Sequence, residues 1–538
     1  MAGETKKRIK YESWKYPEKI DQARDLISNM LKMGSPVVDR GGIMSCLKYD
    51  ELGIRTQTMS KDNLLAEMEN TTTYQVQKWE KALDADGKEY KNRDGEFVRR
   101  LGTAVGDIPM RVINTAYGLL DNGLWKLRGV LTHPVINRNG EYVIRNGLYW
   151  KEGDVNGVTM PKARIHLADG YDAVTQYFFA IPDRVTAELA GIENQKPAPD
   201  DLIAALDFID LFLCDFTFAS KSAKASAIAF MLTMICRQTI NGKVPMLEVR
   251  APEPQSGKTL LVQMLIMAVT GEEPRMFTPT FRDTAEFEKE LFSHLLEGKN
   301  YIFMDNVKGT VESSFLDMAI TAGFCTKRLL GTNAEGTVYS GMPFAMTANN
   351  PKLSDDIKNR IYLLDILKPP AGKEYRHGLP EAYAWEAGPK LLRALFTLYN
   401  HWNKNEKRQP FKERRIDGFI EWSQVIGGIL QAAGIPGFLD DTMKQIKEID
   451  PKLEQAADMA RPWHEAHGSN WIYVKDTFTY ALEAGYVKEG DTVQEKIQKI
   501  AARLARLRMV KLPGGYHFER NDDESRGSQW RVVRDAGN

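Results

Sequence analysis

The chain has 538 residues, 43% of them hydrophobic, which is enough to fill the cores of roughly two to four globular domains. Its 72 lysines and arginines balance its 72 aspartates and glutamates, which excludes a protein that attracts nucleic acid or membranes through its overall charge. Any surface that binds a polyanion must therefore be local.

The four cysteines lie far apart, without CxxC pairs or the spacing of zinc ligands. We expect all four to be reduced thiols among core residues of a cytoplasmic protein. The amino terminus carries cations without a following apolar stretch, and no apolar run approaches the length of about 18 residues that spans a membrane. The sequence therefore predicts a cytoplasmic protein with no membrane partner. The cysteines are Cys46, Cys214, Cys236 and Cys325.

Residues 1–194 mix helical and strand-like patterns, which predicts an α+β accessory domain. The polar stretch 84–95 is typical of a solvated loop, residues 125–136 of a strand pair, and Asn139-Gly140 of the tight turn that follows. A primase fused in this region is an alternative, but it has no paired carboxylates of the DxD type followed by a histidine motif. We expect His133 and His166 to be structural rather than catalytic.

A turn-rich segment near residue 195 marks a boundary, and apolar periodicity then predicts a helical lead-in over 195–245. From 246 to 368, short apolar runs alternate with helical patterns, as in a parallel sheet covered by helices. We predict a multidomain α/β protein, with this segment as its core.

A strand, a loop and a helix follow one another between Met246 and Gly271, in the order that a phosphate-binding loop requires. A triphosphate needs converging N–H groups, a lysine at the β and γ phosphates and a hydroxyl on Mg²⁺. Pro252 stands where the usual GxxxxGK[ST] pattern has glycine, so a chance Gly-Lys-Thr at a helix start is the alternative. The predicted ATP-binding residues are Pro254, Gln255, Ser256, Gly257, Lys258 and Thr259.

An apolar strand beginning at Tyr301 ends in Asp305, where ligands collect in open α/β sheets. We expect Asp305 and Thr259 to hold Mg²⁺. Many ATPases place a glutamate after this aspartate to polarise the attacking water, but this chain has Asn306. Asn306 is suited to orienting water without removing its proton, and the base stays unassigned, with Glu253 or an upstream acid as candidates.

Two further residues complete the predicted catalytic set. A strand from Pro343 ends near Asn349, which we expect at the γ phosphate or the attacking water. Arg360 is a candidate for a guanidinium that reaches the γ phosphate of a neighbouring subunit. A surface or salt-bridged arginine is the alternative for Arg360.

Residues 326–339 read as two strands around a turn centred on residues 333–336. Lys327 and Arg328 in this hairpin are candidates for contacts with DNA phosphates. A solvated cationic pair is an equally good interpretation.

After residue 368 the pattern is helical to 460, and Arg461-Pro462 predicts a break. Residues 461–538 predict a winged helix: two helices (474–483 and 493–508), then strands at 510–512, 516–518 and 530–533, with a polar tip at 520–527. Cations at i, i+3, i+7 and i+10 of the second helix share one face that suits a phosphate backbone. A solvated face or a protein-docking module is the alternative. These cations are Lys496, Lys499, Arg503 and Arg506, with Arg508 beyond them.

The motifs from about residue 200 to 439 resemble the superfamily 3 helicases of the AAA+ class, especially the primase-helicase type of phages, poxviruses and mobile elements. The resemblance rests on Ser256-Gly-Lys-Thr, Phe303-Met-Asp-Asn, Thr347-Ala-Asn-Asn and the run from Asp356 to Arg360. Phage relatives often have two adjacent arginines at the last motif, and Asn359 replaces the first here. Weaker matches are Leu127-Arg-Gly-Val, Gly170-Tyr-Asp and Phe419-Ile-Glu-Trp-Ser.

This resemblance implies an AAA+ ATPase core at 246–368 that uses ATP and Mg²⁺, with a helical domain at 369–460. It also implies a hexameric ring around a single strand of DNA, with the 326–339 hairpin in the pore. The expected function is a DNA helicase that acts in the replication of a phage or mobile element, in the cytoplasm of a bacterial host. Expected partners are single-stranded or forked DNA and a primase or replication initiator. An AAA+ remodelling, packaging or defence ATPase that does not unwind DNA is the alternative.

Overall fold

The computed structural model describes residues 8–15, 18–50, 53–83, 89, 91, 99–119, 123–155, 158–328, 335–349, 351–370, 372–373, 375–404, 409–447, 451–521 and 529–534. The chain forms two compact units, Met1–Asp440 and Asp441–Asn538, and the second begins ahead of the boundary predicted at 461. Among the described helices, none combines the length and apolar character needed to cross a bilayer.

In the first part of the larger unit, the described residues form five α-helices and several small sheets. Its sheets have the strand orders β1-β5-β6, β2-β3-β4, β8-β9, β10-β11 and β12-β13-β7. Its elements are β1 (Ile9–Glu12), α1 (Lys19–Lys32), β2 (Val37–Arg40), β3 (Ile43–Asp50), β4 (Gly53–Thr58), α2 (Lys61–Thr71), β5 (Thr72–Lys81), β6 (Arg99–Val105), α3 (Met110–Gly118), β7 (Gly129–Leu131), β8 (Val135–Ile136), β9 (Tyr142–Val143), β10 (Leu148–Val155), β11 (Val158–Ile165), α4 (Leu167–Gly170), β12 (Tyr171–Asp172), β13 (Tyr177–Phe179) and α5 (Asp183–Glu188).

Two local predictions for this part can be compared with the structure. The turn predicted at Asn139-Gly140 joins β8 to β9, and Gly140 has φ +80°, which glycine adopts without steric cost. The strand pair predicted within 125–136 is wrong, because β7 pairs with β13 and β8 pairs with β9. Most of the loop predicted at 84–95 lies outside the described residues.

The rest of the larger unit surrounds a five-stranded sheet with the order β14-β22-β15-β20-β16. The last four strands are parallel, and β14 pairs antiparallel with β22 at one edge. The elements are α6 (Pro199–Leu213), β14 (Thr217–Phe218), α7 (Lys221–Cys236), β15 (Met246–Arg250), α8 (Lys258–Thr270), α9 (Thr284–Glu297), β16 (Ile302–Val307), β17 (Thr310–Val311), α10 (Ser314–Ala322), β18 (Phe324–Arg328), β19 (Glu335–Tyr339), β20 (Phe344–Ala348), β21 (Lys352–Leu353), α11 (Asp355–Lys358), β22 (Ile361–Leu367), α12 (Pro380–Lys404) and α13 (Ile420–Ala432). Helix α14 (Asp440–Lys447) starts at the last residue of this unit and otherwise belongs to the second unit.

Burial explains why these segments lack a simple amphipathic pattern. Helix α7 is apolar on all sides and almost every residue in it is buried, as are the first four residues of β15. The helical lead-in predicted over 195–245 is interrupted by β14, which extends the sheet. A two-residue strand is too short to produce a recognisable alternation in sequence.

The smaller unit packs a helix and a three-stranded antiparallel sheet around buried Trp463 and Trp530. The break predicted at Arg461-Pro462 is wrong, since the helix continues through Pro462. Strand β23 was not predicted, and residues 510–512 form only an isolated bridge rather than a strand. Most of the tip at 520–527 lies outside the part of the chain described here. The elements are α15 (Pro451–His467), β23 (Ile472–Tyr473), α16 (Phe478–Glu483), α17 (Val493–Arg506), β24 (Tyr516–Arg520) and β25 (Gln529–Arg534).

Candidate nucleotide site

The loop between β15 and α8 turns sharply at the carboxyl end of the sheet. Gln255 and Gly257 have φ of +59° and +87°, and α8 begins at Lys258 directly after this turn. An added Cβ on Gly257 would lie 3.6 Å from the Phe216 ring, an ordinary contact, so the backbone angle rather than space favours glycine there. The first N–H groups of α8 have no acceptor within the helix and point toward this loop, an arrangement suited to phosphate oxygens.

Among the other loop residues, Ser256 is buried and the two residues before it are exposed. Ser256 is buried, and its hydroxyl donates to the Glu253 carbonyl at 3.1 Å, which closes the turn. Pro254 and Gln255 are exposed. The Glu253 carboxylate lies 3.4 Å from the Lys368 ammonium, an exposed pair, and it makes no described contact with Asp305. This position gives Glu253 no support as the base.

Lys258 lies beside the two other polar strand ends. Its ammonium donates to the Asn349 Oδ1 at 2.7 Å. Partial burial lowers the pKa of Lys258, and the nearby Asp305 carboxylate opposes that effect. The structure therefore brings together the lysine, the amide and the carboxylate that the sequence placed on three different segments.

The Asp305 carboxylate is the centre of a hydroxyl network. Its Oδ1 accepts from Thr259 Oγ1 at 2.7 Å and from Thr347 Oγ1 at 2.6 Å. Thr347 also accepts the Asn306 N–H at 2.9 Å, so it links the two neighbouring residues of β16. The Thr259 hydroxyl and the Asp305 carboxylate are oxygen donors of the type that Mg²⁺ prefers, and they fit a magnesium site.

Strand β16 is irregular where it presents these residues. Its register against β20 shifts between Met304 and Val307, and Asn306 has φ +55°. A bulge with a left-handed non-glycine residue costs energy and commonly redirects side chains at functional sites. Here it leaves Asn306 exposed and Asp305 turned toward the hydroxyls.

Arg360 lies in a contact within its own chain. Its guanidinium pairs with the Asp317 carboxylate on α10, with one nitrogen–oxygen distance of 2.8 Å, and is about one quarter exposed. The structure therefore does not place it among the residues around Asp305. Asp317 was not identified from sequence, since a single aspartate on an amphipathic helix is normally a solvated residue.

Sequence reasoning also missed acidic residues in the central strands. Arg250 binds Asp365 through two hydrogen bonds of 2.8 and 2.7 Å at the carboxyl ends of β15 and β22. Burial raises the pKa of Glu248 in β15 to about 7; Arg250 opposes this shift and Asp365 adds to it. The available signal was a charged residue inside an otherwise apolar run, as in Met-Leu-Glu-Val and Leu-Leu-Asp-Ile.

The two histidines and the cysteines have different environments. His133 is buried, bonds to Asn300 at 3.1 Å and has its pKa lowered to about 4 by burial, which is consistent with a structural role. His166 is exposed and pairs with Asp169. The expectation of four core thiols is wrong for Cys214, which is exposed because it follows the last turn of α6.

Cys214 belongs to a group of potential metal ligands with Asp215 and His377. The Asp215 carboxylate already accepts the backbone N–H groups of Arg376 and His377 and lies 2.8 Å from the His377 Nδ1. Through these bonds Asp215 holds the loop before α12 in place, which explains the residue without a metal ion.

The predicted DNA-contacting cations have partners in the structure. Lys327 donates to Glu288 on α9 at 3.0 Å and lies 5.0 Å from the centre of the Phe315 ring, whereas Arg328 is exposed at the end of β18. The turn predicted at 333–336 lies partly outside the described residues, which resume at 335.

The cationic stripe of α17 is partly neutralised. Lys499 donates to Asp491 at 2.7 Å, Lys496 contacts the Glu489 carbonyl at 3.4 Å, and Arg503 lies over the Tyr486 ring. Arg506 is exposed. These contacts favour the solvated-face interpretation for the first part of the stripe.

No family model and no curated protein matches this sequence. Two of the solved structures that align with most of this chain do so at low similarity. One is described as the A form apo structure of the NrS-1 C-terminal region; it has 12% identity and a TM-score of 0.40, over 95% of this chain and 98% of that chain. The other, the same region spanning 305–718, has 12% identity and a TM-score of 0.36, over 92% and 86%. Likenesses of this strength carry no argument about what the chain does.

Proposed function

We propose that this chain hydrolyses ATP with Mg²⁺ as a superfamily 3 type AAA+ motor and converts the energy into movement along DNA. The single observation that carries the proposal is the cluster of Lys258, Thr259, Asp305 and Asn349 at the carboxyl end of a parallel sheet. This is the edge at which open α/β sheets bind ligands. The sharp turn at Gly257 adds a site for phosphate oxygens.

Each residue of the cluster has a chemical role in this proposal. The N–H groups at the start of α8 and the Lys258 ammonium bind the phosphates and offset their negative charge. Thr259 and Asp305 hold Mg²⁺, which neutralises charge on the phosphate oxygens. Asn349 and Asn306 orient the attacking water, and Thr347 positions Asp305. In a hexameric ring, Arg360 leaves its ion pair with Asp317 and contacts the γ phosphate bound to a neighbouring subunit.

The motor works in the cytoplasm of a bacterial host. There it unwinds DNA during the replication of a phage or mobile element, with a primase or initiator as partner. In this proposal the smaller unit is a winged helix, supported by its antiparallel sheet packed with α15 and α17.

A second candidate is an AAA+ remodelling or defence ATPase that does not unwind DNA. The observation that favours it is that Lys327 and Lys499, two of the predicted phosphate-binding cations, already pair with Glu288 and Asp491. Stimulation of turnover by single strands together with strand displacement supports the helicase. Turnover that is indifferent to DNA supports the remodelling ATPase.

The first test is Lys258→Ala in the full chain. Because the ammonium acts on charge that develops during phosphoryl transfer, we expect ATP turnover to fall by about 100-fold or more. Lys390→Ala on the exposed face of α12 is the control and should keep parental turnover. Parental turnover in the Lys258→Ala protein would contradict the proposal.

A further inference from the structure

A cavity of about 430 Å³ lies in the larger unit, away from the nucleotide site. Lys243 and Gly341, in its wall, come shortly before β15 and β20 respectively. Those strands are parallel, and the phosphate loop follows the carboxyl end of β15. The cavity is therefore at the opposite, amino-terminal edge of the sheet, beside the base of the β18–β19 hairpin.

Among the residues that the structure describes, the wall of this cavity carries four cations and no carboxylate. Two residues of the wall contact acids that do not line the cavity: Asp172 accepts the Thr175 hydroxyl at 2.8 Å, and Glu421 accepts the Asn241 amide at 3.0 Å. Cations collected in a concave site raise the local concentration of anions. The cations are Arg128, Arg138, Arg237 and Lys243.

These cations have different tasks. The Arg237 guanidinium donates to the carbonyls of Ile240, Gly242 and Gly341, so it holds the wall together. Arg138 and Lys243 are exposed, and neither forms an ion pair within the described ranges. Their charges remain available to an anion that enters the cavity.

An aromatic surface adjoins the cationic one. Phe324 is 49% exposed, and the Arg128 guanidinium lies 5.0 Å from the centre of the Tyr339 ring and 5.9 Å from that of Phe324. The Arg128 Nε is buried and has no hydrogen-bond partner among the described atoms. Aromatic rings and guanidinium groups are the platforms on which unpaired bases stack.

The same three residues also line a second cavity of about 130 Å³, which includes Lys126. Arg128, Phe324 and Tyr339 thus separate two adjoining spaces, each with a cation of its own. The larger space, about 430 Å³, offers room for one nucleotide, whereas a chain of nucleotides can extend from it into the smaller one. This arrangement favours a polymer over a free nucleotide.

We propose that this cavity binds a single-stranded nucleic acid, with a phosphate at Arg138 and Lys243 and a base against Phe324. The proposal deepens the proposed function and rests on it for the assumption that a strand reaches the β18–β19 hairpin. A single strand and a free nucleotide both offer a base with its phosphate, so a free nucleotide is the competing ligand.

The test measures the binding of a fluorescent oligothymidylate to the full chain by anisotropy, without ATP. We expect Arg138→Ala/Lys243→Ala to weaken binding about tenfold or more near 100 mM salt. If the two cations each neutralise about one phosphate, the salt slope should fall by about 1.4. Phe324→Leu should weaken binding about fivefold or more at an unchanged salt slope. Lys390→Ala, another exposed cation, should bind as the parent does.

ATP turnover without DNA separates this proposal from the proposed function. We expect the double variant to keep parental turnover, because the cavity and the phosphate loop lie at opposite edges of the sheet. Oligonucleotide binding that is equal in the double variant and in Lys390→Ala would overturn the cavity proposal alone. The polymer assignment would be wrong if fluorescent thymidine monophosphate bound the Lys258→Ala protein tightly and this binding were lost when Arg138 and Lys243 were also replaced. The ligand of the cavity would then be a free nucleotide.

Discussion

At the scale of single residues, Thr347 links the two functional positions of β16. It donates to Asp305 and accepts the Asn306 N–H, so Thr347→Val removes both bonds with little change of shape. Hydrogen bonds to charged groups contribute about 1.5–3 kcal/mol, and we expect ATP turnover to fall on the order of tenfold to a hundredfold. Steady-state kinetics test this, with Thr115→Val on α3 as the control, since its hydroxyl bonds only to the helix carbonyl of Arg111. Unchanged kcat in Thr347→Val would contradict the role assigned to this hydroxyl.

Glu248 should make stability depend on pH. Its folded pKa of about 7 lies above the ordinary 4.5, so the folded state binds the proton more tightly and stability is lost as the pH rises between these values. Glu248→Gln should therefore be more stable relative to the parent at pH 8 than at pH 5, by about 3 kcal/mol. Urea unfolding at the two pH values measures this difference. An equal effect of the substitution at both would show that Glu248 ionises normally.

At the scale of elements, a buried arginine joins the amino-terminal part to the sheet region within the larger unit. Arg40 on β2 donates to the carbonyls of Leu295 and Leu296 in the last turn of α9, and also to Thr56 and the Arg128 carbonyl. A cation there adds a donor to carbonyls of the last helical turn, where Leu295 also accepts the Gly298 N–H and Leu296 the Thr56 hydroxyl. Strands β2 and β4 are thus connected to the helix before β16 by polar bonds from Arg40 and Thr56.

Arg40→Leu should remove four hydrogen bonds that a buried cation donates, while the Leu295 and Leu296 carbonyls each keep one other donor. We expect the free energy of unfolding to fall by about 3 kcal/mol or more, measured in urea. Arg55→Leu on β4 is the matched control, because its pair with Asp50 is partly exposed and should contribute about 1 kcal/mol or less. A loss in Arg40→Leu no larger than that of the control would contradict the structural role of Arg40.

At the scale of the whole molecule, the proposed ring makes each ATP site depend on two subunits. Lys258→Ala and Arg360→Ala proteins should each turn over ATP about 100-fold more slowly than the parent. When the two are mixed, some interfaces combine an intact Lys258 with an intact Arg360 from the neighbour. We therefore expect turnover to rise above that of either protein alone, and a coupled ATPase assay across mixing ratios measures it. Mixtures that equal the average of the two proteins would place Arg360 in its own subunit's site or outside catalysis.

Much of the candidate site follows from local sequence patterns. Gly257, Lys258 and Thr259 begin a helix after a buried strand, Asp305 lies in the second half of β16, and Asn349 follows the end of β20. Parallel strands bring their carboxyl ends to one edge, so the pattern of each segment is enough to predict that these side chains meet. Thr347 lies inside a strand, and its role depends on which strand lies beside β20.

The sequence by itself determined strand β15, the loop after it and the start of α8, because hydrophobic patterns and turn chemistry act over a few neighbouring positions. Only the tertiary structure decided which charges are already paired. Arg360 meets Asp317 and Lys327 meets Glu288, and these partners lie 43 and 39 positions apart in the chain. The continuation of α15 through Pro462 was decided in the same way, since the packing of Trp463 in the core of the smaller unit offsets the hydrogen bond that proline removes. Such contacts depend on packing between distant segments, so local sequence patterns do not predict them.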